Sequence, residues 1–194
     1  EYFTAIRKEV LPTLATYPIL KIWIAGCSTG EEFYSLAILL KEEGLLERSI
    51  IYATDINPRS LKAAESGKFP LSEMSKYTLN YQKSGGKGAF ASYYEVKDDF
   101  AVFDASLRAN VVFADHSLAT DNVFAEVQFV SCRNVLIYFN RNLQDRAFQL
   151  FRDSLIPRGF LGIGSKESIR FSTVVDDFDE TYPRERIYRK RRPA

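Results

Sequence analysis

The sequence predicts an α/β fold, a doubly wound and mostly parallel sheet with a small inserted β-subdomain. Three observations lead there. Short apolar runs alternate with helix-patterned segments, a glycine-bearing turn follows the first apolar run, and the alternation breaks once, between Lys68 and Leu107, before resuming. A chain of 194 residues that is 46% apolar can bury one full core, and one domain over 1–194 is expected.

Tyr2, Phe3, Ile6, Val10 and Leu14 recur at helical spacing, so the chain opens with an amphipathic helix closed by Pro18. Lys21 to Ala25 reads as a strand, and Phe33 to Glu43 as a helix stopped at Gly44. Ser49 to Thr54 is a second strand ending at Asp55, followed by a helix from Pro58 to Ser66 that Gly67 ends. Between Lys68 and Leu107 aromatics are scattered, Ser84-Gly85-Gly86-Lys87-Gly88 is a flexible loop, and Tyr93 to Val96 favours a short strand. Strands Val111 to Ala114 and Val127 to Ser131 follow, then a helix from Asn142 to Leu155 with Leu143, Ala147, Phe148 and Phe151 on one face. Pro157-Arg158-Gly159 turns the chain into strand Phe160 to Ile163. Arg186 to Lys190 is expected as a last strand on a sheet edge, where Lys and Arg discourage further pairing.

Composition narrows the partners. The formal charge is +1, from 26 basic and 25 acidic residues, so the chain lacks the field of a nucleic-acid binder. No apolar run approaches the roughly 20 residues that span a bilayer, and direct membrane insertion is not expected. A cytoplasmic monomer is the expectation. Cys27 and Cys132 fit no metal-ligand or Cys-x-x-Cys spacing and read as reduced thiols, with no metal site.

In an open parallel sheet, ligands bind at the carboxyl ends of the strands, where a glycine turn lets backbone approach without a Cβ in the way. Gly26 and Gly30 occupy that turn. A dinucleotide site would present a bare helix N-terminus to a pyrophosphate, whereas Glu31 and Glu32 stand here. Two carboxylates repel a diphosphate and suit a ligand with cationic sulfonium and ammonium groups, which favours S-adenosyl-L-methionine over a nicotinamide dinucleotide. Asp55, at the end of the second strand, can accept hydrogen bonds from ribose hydroxyls. The alternative is an ordinary strand-to-helix turn, with the glutamates complementing the helix dipole and Asp55 capping a helix.

Three segments, Ala25-Gly26-Cys27-Ser28-Thr29-Gly30-Glu31-Glu32-Phe33-Tyr34-Ser35, Ala53-Thr54-Asp55-Ile56-Asn57 and Cys132-Arg133-Asn134-Val135-Leu136-Ile137-Tyr138-Phe139, resemble in order the CheR family of chemoreceptor protein-glutamate methyltransferases. Leu155-x-Pro157-x-Gly159-x-Leu161 and Gly164-Ser165-Lys166-Glu167-Ser168 extend the likeness over nearly the whole chain. The resemblance implies a class I, Rossmann-like methyltransferase domain that binds S-adenosyl-L-methionine and releases S-adenosyl-L-homocysteine. It implies methyl-ester formation on glutamates of chemoreceptor cytoplasmic domains in chemotaxis or related sensory adaptation. By the same resemblance, Glu32 contacts the methionine portion, Asp55 the ribose, and Ser117 and Leu118 lie near the adenine. Gly26, Ser28, Gly30 and Ile56 complete the cofactor set, Arg133 and Asn134 lie where cofactor and substrate meet, and Tyr138 is close to the transferred methyl.

Two departures accompany it. Where the family has Asn-Leu near the adenine, Ser117-Leu118 stands, and the shorter serine is expected to lower cofactor affinity. Family members carry an N-terminal helical domain and an Asn-x-Thr-x-Phe-Phe-Arg segment that completes the pocket, and this chain begins just after it. The insertion resembles the subdomain with which some members grip a receptor tail by adding a strand.

A glutamate carboxylate with a reference pKa near roughly 4.3 is ionised at neutral pH, so its methylation needs no general base. The sole histidine, His116, reads as a loop residue without a catalytic partner. Arg133 is expected to orient the substrate carboxylate, its alternative being a structural partner of a nearby carboxylate. Tyr138 reads equally as a core aromatic. Two further readings remain: a non-catalytic module docking on receptors or signalling partners, and a small-molecule methyltransferase.

Overall fold

In the computed structural model, which describes residues 1–192, the expected alternation builds a seven-stranded sheet. The final two residues of the expected domain lie outside that range. The N-terminal helix runs as α1 (Tyr2–Ala5), a π-helical stretch Ile6–Val10 and α2 (Leu11–Leu14). Pro12 explains the wide middle: its ring clashes with the carbonyl four residues back in a regular α-helix and it has no N–H to donate. Then come β1 (Leu20–Ala25), α3 (Glu31–Glu42), β2 (Ser49–Asp55) and α4 (Pro58–Ser66). Asn57 caps α4 by accepting the Arg59 N–H at 3.0 Å, Pro58 takes the first turn, and Gly67 ends it in the left-handed region at φ +64°.

The insertion holds β3 (Lys68–Pro70), α5 (Met74–Lys83), β4 (Tyr94–Lys97) and β5 (Phe100–Phe103). The chain then adds β6 (Val111–Asp115), β7 (Val127–Cys132), α6 (Arg141–Ser154), β8 (Leu155–Ile163), β9 (Phe178–Tyr182) and β10 (Ile187–Lys190). The main sheet has the order β6-β2-β1-β7-β8-β10-β9, parallel from β6 to β8 and antiparallel beyond. β1 is buried on both faces, which is why it reads as an apolar run rather than an alternation. Its successive side chains still divide two cores: Ile22 and Ile24 meet α3 and the N-terminal helix, while Trp23 and Ala25 meet α6.

Three expectations need correction. The strand at Ile187–Lys190 lies inside the sheet, between β8 and β9, and the edge belongs to β9. Only Phe178 of β9 is buried, so its acidic sequence resembles a loop, and those acids discourage further pairing. Pro157-Arg158-Gly159 is a bulge within β8, not a turn before it: the register against β7 shifts between Val127 and Phe129, and Arg158 takes φ +69°. The inserted subdomain contains a helix beside a three-stranded sheet of order β3-β5-β4. That helix buries only Met74 and Tyr81, too few apolar positions to give a stripe.

The insertion is fixed on α3 by aromatic packing. Tyr34 sits with ring centroids 5.4 Å from Phe69 and 5.0 Å from Phe103. At the far end of α3, Glu42 accepts from the hydroxyls of Tyr81 and Tyr93 and from the Lys87 N–H, and pairs with Arg7 of the N-terminal helix. Against burial, which pushes it up, these partners hold the Glu42 carboxyl below the usual range.

Candidate functional site

β2 and β6 lie on one side of β1, and β7 and β8 on the other, so the winding reverses between β1 and β7. Crevices form at the carboxyl ends of strands at such a switch point. The loops that meet there follow β1 and β7 and carry most of the residues singled out from the sequence.

In the first loop, Gly26, Ser28 and Gly30 all have positive φ, of 73°, 49° and 101°. The N–H groups of Gly26 and Cys27 both donate to the Thr54 carbonyl at 2.8 Å, which folds the loop back over β2. A Cβ on Gly26 would collide with Val135 of the second loop, and one on Gly30 would lie 3.0 Å from the Ala64 Cβ. The glycines thus serve backbone conformation and loop packing, because the space beside them is filled by protein.

Asp55 accepts the Ser28 N–H at 2.8 Å on one oxygen and the Asn57 N–H at 2.9 Å on the other. A carboxylate has about four lone-pair positions, so two remain for hydroxyl donors. The cap of α4 is Asn57, which removes the reading of Asp55 as a helix cap. Ile56 beside it is 68% exposed. On the neighbouring strand end, the Ser117 N–H donates to Asp121 at 2.9 Å, whereas Leu118 is buried in the α6-side core. His116 is indeed in a loop, but buried, edge-on to Trp23 and Phe124 with its Nε2 3.2 Å from the Asn122 carbonyl.

The glutamates of the first turn of α3 have different surroundings. Glu31 is exposed and accepts from the Thr29 hydroxyl at 2.7 Å. Glu32 accepts from the Ser131 hydroxyl at 2.5 Å and lies 3.8 Å from an Arg133 guanidinium nitrogen. Burial raises the Glu32 carboxyl, and Arg133 and Ser131 partly offset that rise. Arg133 stacks over the Tyr2 ring at 4.2 Å, and its Nε is buried with no hydrogen-bond partner among the described residues. Glu31, Glu32 and Arg133 are among the residues that line a 490 Å³ cavity whose walls also include Tyr34, Phe69 and Tyr77. A cationic group without phosphate suits this wall, because Glu32 is a half-buried carboxylate whose charge Arg133 only partly compensates.

The second loop is shaped by a residue that its sequence context did not single out. Glu167, 5% exposed, accepts the N–H groups of Asn134 at 3.2 Å, Val135 at 2.9 Å, Leu136 at 2.8 Å and Gly164 at 2.5 Å. It holds Asn134 at φ +61° and so sets where Arg133 leaves the strand. A buried glutamate looks like any surface glutamate in sequence; the Gly164 to Ser168 segment carries the family likeness without marking what Glu167 does in it. Ser131 and Tyr2 were missed for a similar reason, having read as strand and core residues. Tyr138 is 82% exposed on a 3₁₀ turn, so it is not a core aromatic. Asn134 is also exposed, and both stand outside the cavity that Glu32 and Arg133 line.

Cys27 and Cys132 are free and buried. Burial, then the charge of Asp55, pushes the Cys27 thiol up to about 12, and burial raises Cys132 well above its ordinary value, so neither is a thiolate nucleophile at neutral pH. No group of His, Cys, Asp and Glu among the described residues could hold a metal ion, and no described helix is long and apolar enough to cross a membrane.

A family model described as CheR methyltransferase, SAM binding domain, matches residues 1–183. A Pseudomonas putida protein named methyltransferase Cher3 is 60% identical over 190 residues, 98% of this chain and 70% of that protein. A chemotaxis protein methyltransferase of Listeria innocua is 34% identical over 84% of this chain and 60% of its own length. One of Salmonella typhimurium is 32% identical over 81% and 54%. The chain therefore spans from about half to seven tenths of these relatives. With S-adenosylmethionine as the cofactor of its fold and the charged pair at its switch point, the chain belongs to the CheR methyltransferase family, as a SAM-binding domain.

Proposed function

We propose that this domain methylates the side-chain carboxylates of glutamates in the cytoplasmic domains of chemoreceptors, with methyl esters and S-adenosylhomocysteine as products. The reading is supported by relatives named chemotaxis protein methyltransferase, and the observation that carries it is the Glu32–Arg133 pair at the switch point. When bound, the cofactor supplies an electrophilic methyl on a sulfonium.

The chain's own residues do the rest. Glu32 attracts the cationic end of the cofactor, Asp55 offers its two remaining lone pairs to the ribose hydroxyls, and Ser117 offers a hydroxyl near the adenine. The Gly26 to Gly30 loop and exposed Ile56 lie beside Asp55 at the strand ends, outside the lining of the 490 Å³ cavity, and offer the cofactor backbone and a side-chain surface there. Arg133 orients the incoming carboxylate with the donors it does not turn to Glu32. Sharing its charge with Glu32 keeps that grip loose, so the nucleophile retains its reactivity. Exposed Tyr138 and Asn134 meet the substrate segment at the rim. Aromatic walls exclude water around the reacting charges.

The test is transfer of labelled methyl groups to receptor membranes by the intact protein, followed by mild base. Release of labelled methanol is expected; a base-stable label would overturn the carboxylate reading. A second reading, methylation of a small carboxylic acid, draws on the 490 Å³ cavity with Tyr34, Phe69 and Phe103 in its wall. Label appearing in an organic-soluble small methyl ester instead of receptor would favour it.

A further inference from the structure

We propose that Tyr2 is a positioning residue for Glu32 and Arg133, acting through Ser131 on the first and through its ring face on the second. This rests on the reading of Glu32 and Arg133 as the pair that receives cofactor and substrate.

The direction of the hydrogen bonds can be worked out. An ionised Glu32 only accepts, so the Ser131 hydroxyl, 2.5 Å away, must donate to it. The hydroxyl of Ser131 has a single proton, so towards Tyr2, 2.7 Å away, it must accept. Donation therefore runs from Tyr2 to Ser131 to Glu32, each bond polarising the next. Burial holds the Tyr2 phenol far above its ordinary titration range, so the first donor keeps its proton at any working pH.

A face of the same ring carries Arg133, whose guanidinium carbon lies 4.2 Å from the ring centroid. One side chain thus contacts the arginine directly and the glutamate through one relay. The sheet makes room for it. Gly162 of β8 pairs in register with Ser131, and a Cβ there would collide with the Tyr2 hydroxyl. The glycine is not in the left-handed region, so its lack of a side chain here serves space rather than backbone conformation.

The experiment is calorimetric titration of the intact protein with S-adenosylmethionine as pH is lowered from neutral, since the Glu32 carboxyl is raised, with initial rates where a methyl acceptor is available. Tyr2→Phe keeps the ring and deletes the donor. It is expected to weaken cofactor binding about threefold to tenfold at neutral pH. It should also make the acid loss of affinity begin at a higher pH, because an ionised Glu32 loses support. Gly162→Ala, whose Cβ would meet the Tyr2 hydroxyl and the adjoining ring carbons rather than Glu32 or Arg133 themselves, should reproduce both changes. Tyr2→Leu, which removes the platform under Arg133, should in addition lower kcat about tenfold or more, with a folded protein confirmed by an unchanged circular dichroism spectrum.

An unshifted pH profile in Tyr2→Phe and Gly162→Ala, with the fold intact, overturns the proposal. Cofactor titration needs no receptor, so a protein that binds the cofactor and methylates no receptor defeats the function proposed above and leaves this one standing. A wild-type protein that binds no cofactor defeats both.

Discussion

The carboxylate of Glu167 accepts the N–H of Leu136 at 2.8 Å and, with those of Asn134 and Val135, holds the turn after β7 from a distant segment, while the N–H of Gly164 in its own segment is a fourth donor. Four N–H groups converge on one buried side chain, so replacing it leaves several donors unpaired at once. Glu167→Ala should destabilise the protein by about 3–5 kcal/mol. Glu167→Gln, which keeps the shape but points an amide donor at N–H groups, should lose about 2–3 kcal/mol. Urea unfolding measures both, and equal stability of Glu167→Gln and wild type would show that the four contacts carry little.

Asp55 joins two loops, holding Ser28 on one side and Asn57 on the other. Asp55→Asn retains a single carbonyl oxygen and so can keep one of the two backbone contacts. Stability should fall by about 1–2 kcal/mol, while S-adenosylmethionine affinity should fall at least tenfold, because the lone pairs reserved for ribose hydroxyls are reassigned or replaced by donors. Calorimetry on a folded variant separates the two effects. Affinity that drops only in step with stability would limit Asp55 to anchoring the loops.

How far the sequence could be read depends on the range of the interaction involved. β1, β2 and α4 announce themselves through local signals, an apolar run or a proline-to-glycine frame around a helix, and the structure has them where expected. The insertion does not, because α5 buries only two side chains and β5, besides its hairpin partner β4, pairs with β3 some thirty residues earlier. At the site, Gly26, Gly30, Asp55 and Glu32 stand in recognisable motifs. Tyr2, Ser131 and Glu167 act across spans of more than thirty residues or by burial alone, and no local pattern marks a serine that bridges a tyrosine to a glutamate. β9 was hidden for the opposite reason: its edge position is defended by the acids that make it look like a loop.

Glu42 sets the acid stability of the joint between the N-terminal helix, α3 and the insertion. Its carboxyl is held below the usual value, so the folded state binds its proton less readily than the unfolded chain does. The resulting stability is complete above the ordinary carboxylate range, near roughly pH 4.3, and is lost as pH falls through the depressed folded value. Glu42→Gln should lower stability at neutral pH by about 2–3 kcal/mol and flatten this part of the acid limb. Urea midpoints from about pH 3 to pH 7 give the comparison, and an acid limb identical to that of wild type would place the titrating group elsewhere.

Arg133 and Glu32 compensate one another across 3.8 Å, so changing either alters both. Arg133→Ala leaves half-buried Glu32 without its cation, and the already raised carboxyl should move further up. Methyl transfer should then fall by about a hundredfold or more, because the substrate carboxylate loses its orienting donor. Arg133→Lys restores a charge but not a planar, stacked guanidinium over Tyr2, so it should recover cofactor binding better than turnover. Steady-state rates beside cofactor titration test this split. A lysine variant with wild-type kcat would show that a point charge suffices, and an alanine variant with unaltered turnover would remove Arg133 from the reaction altogether.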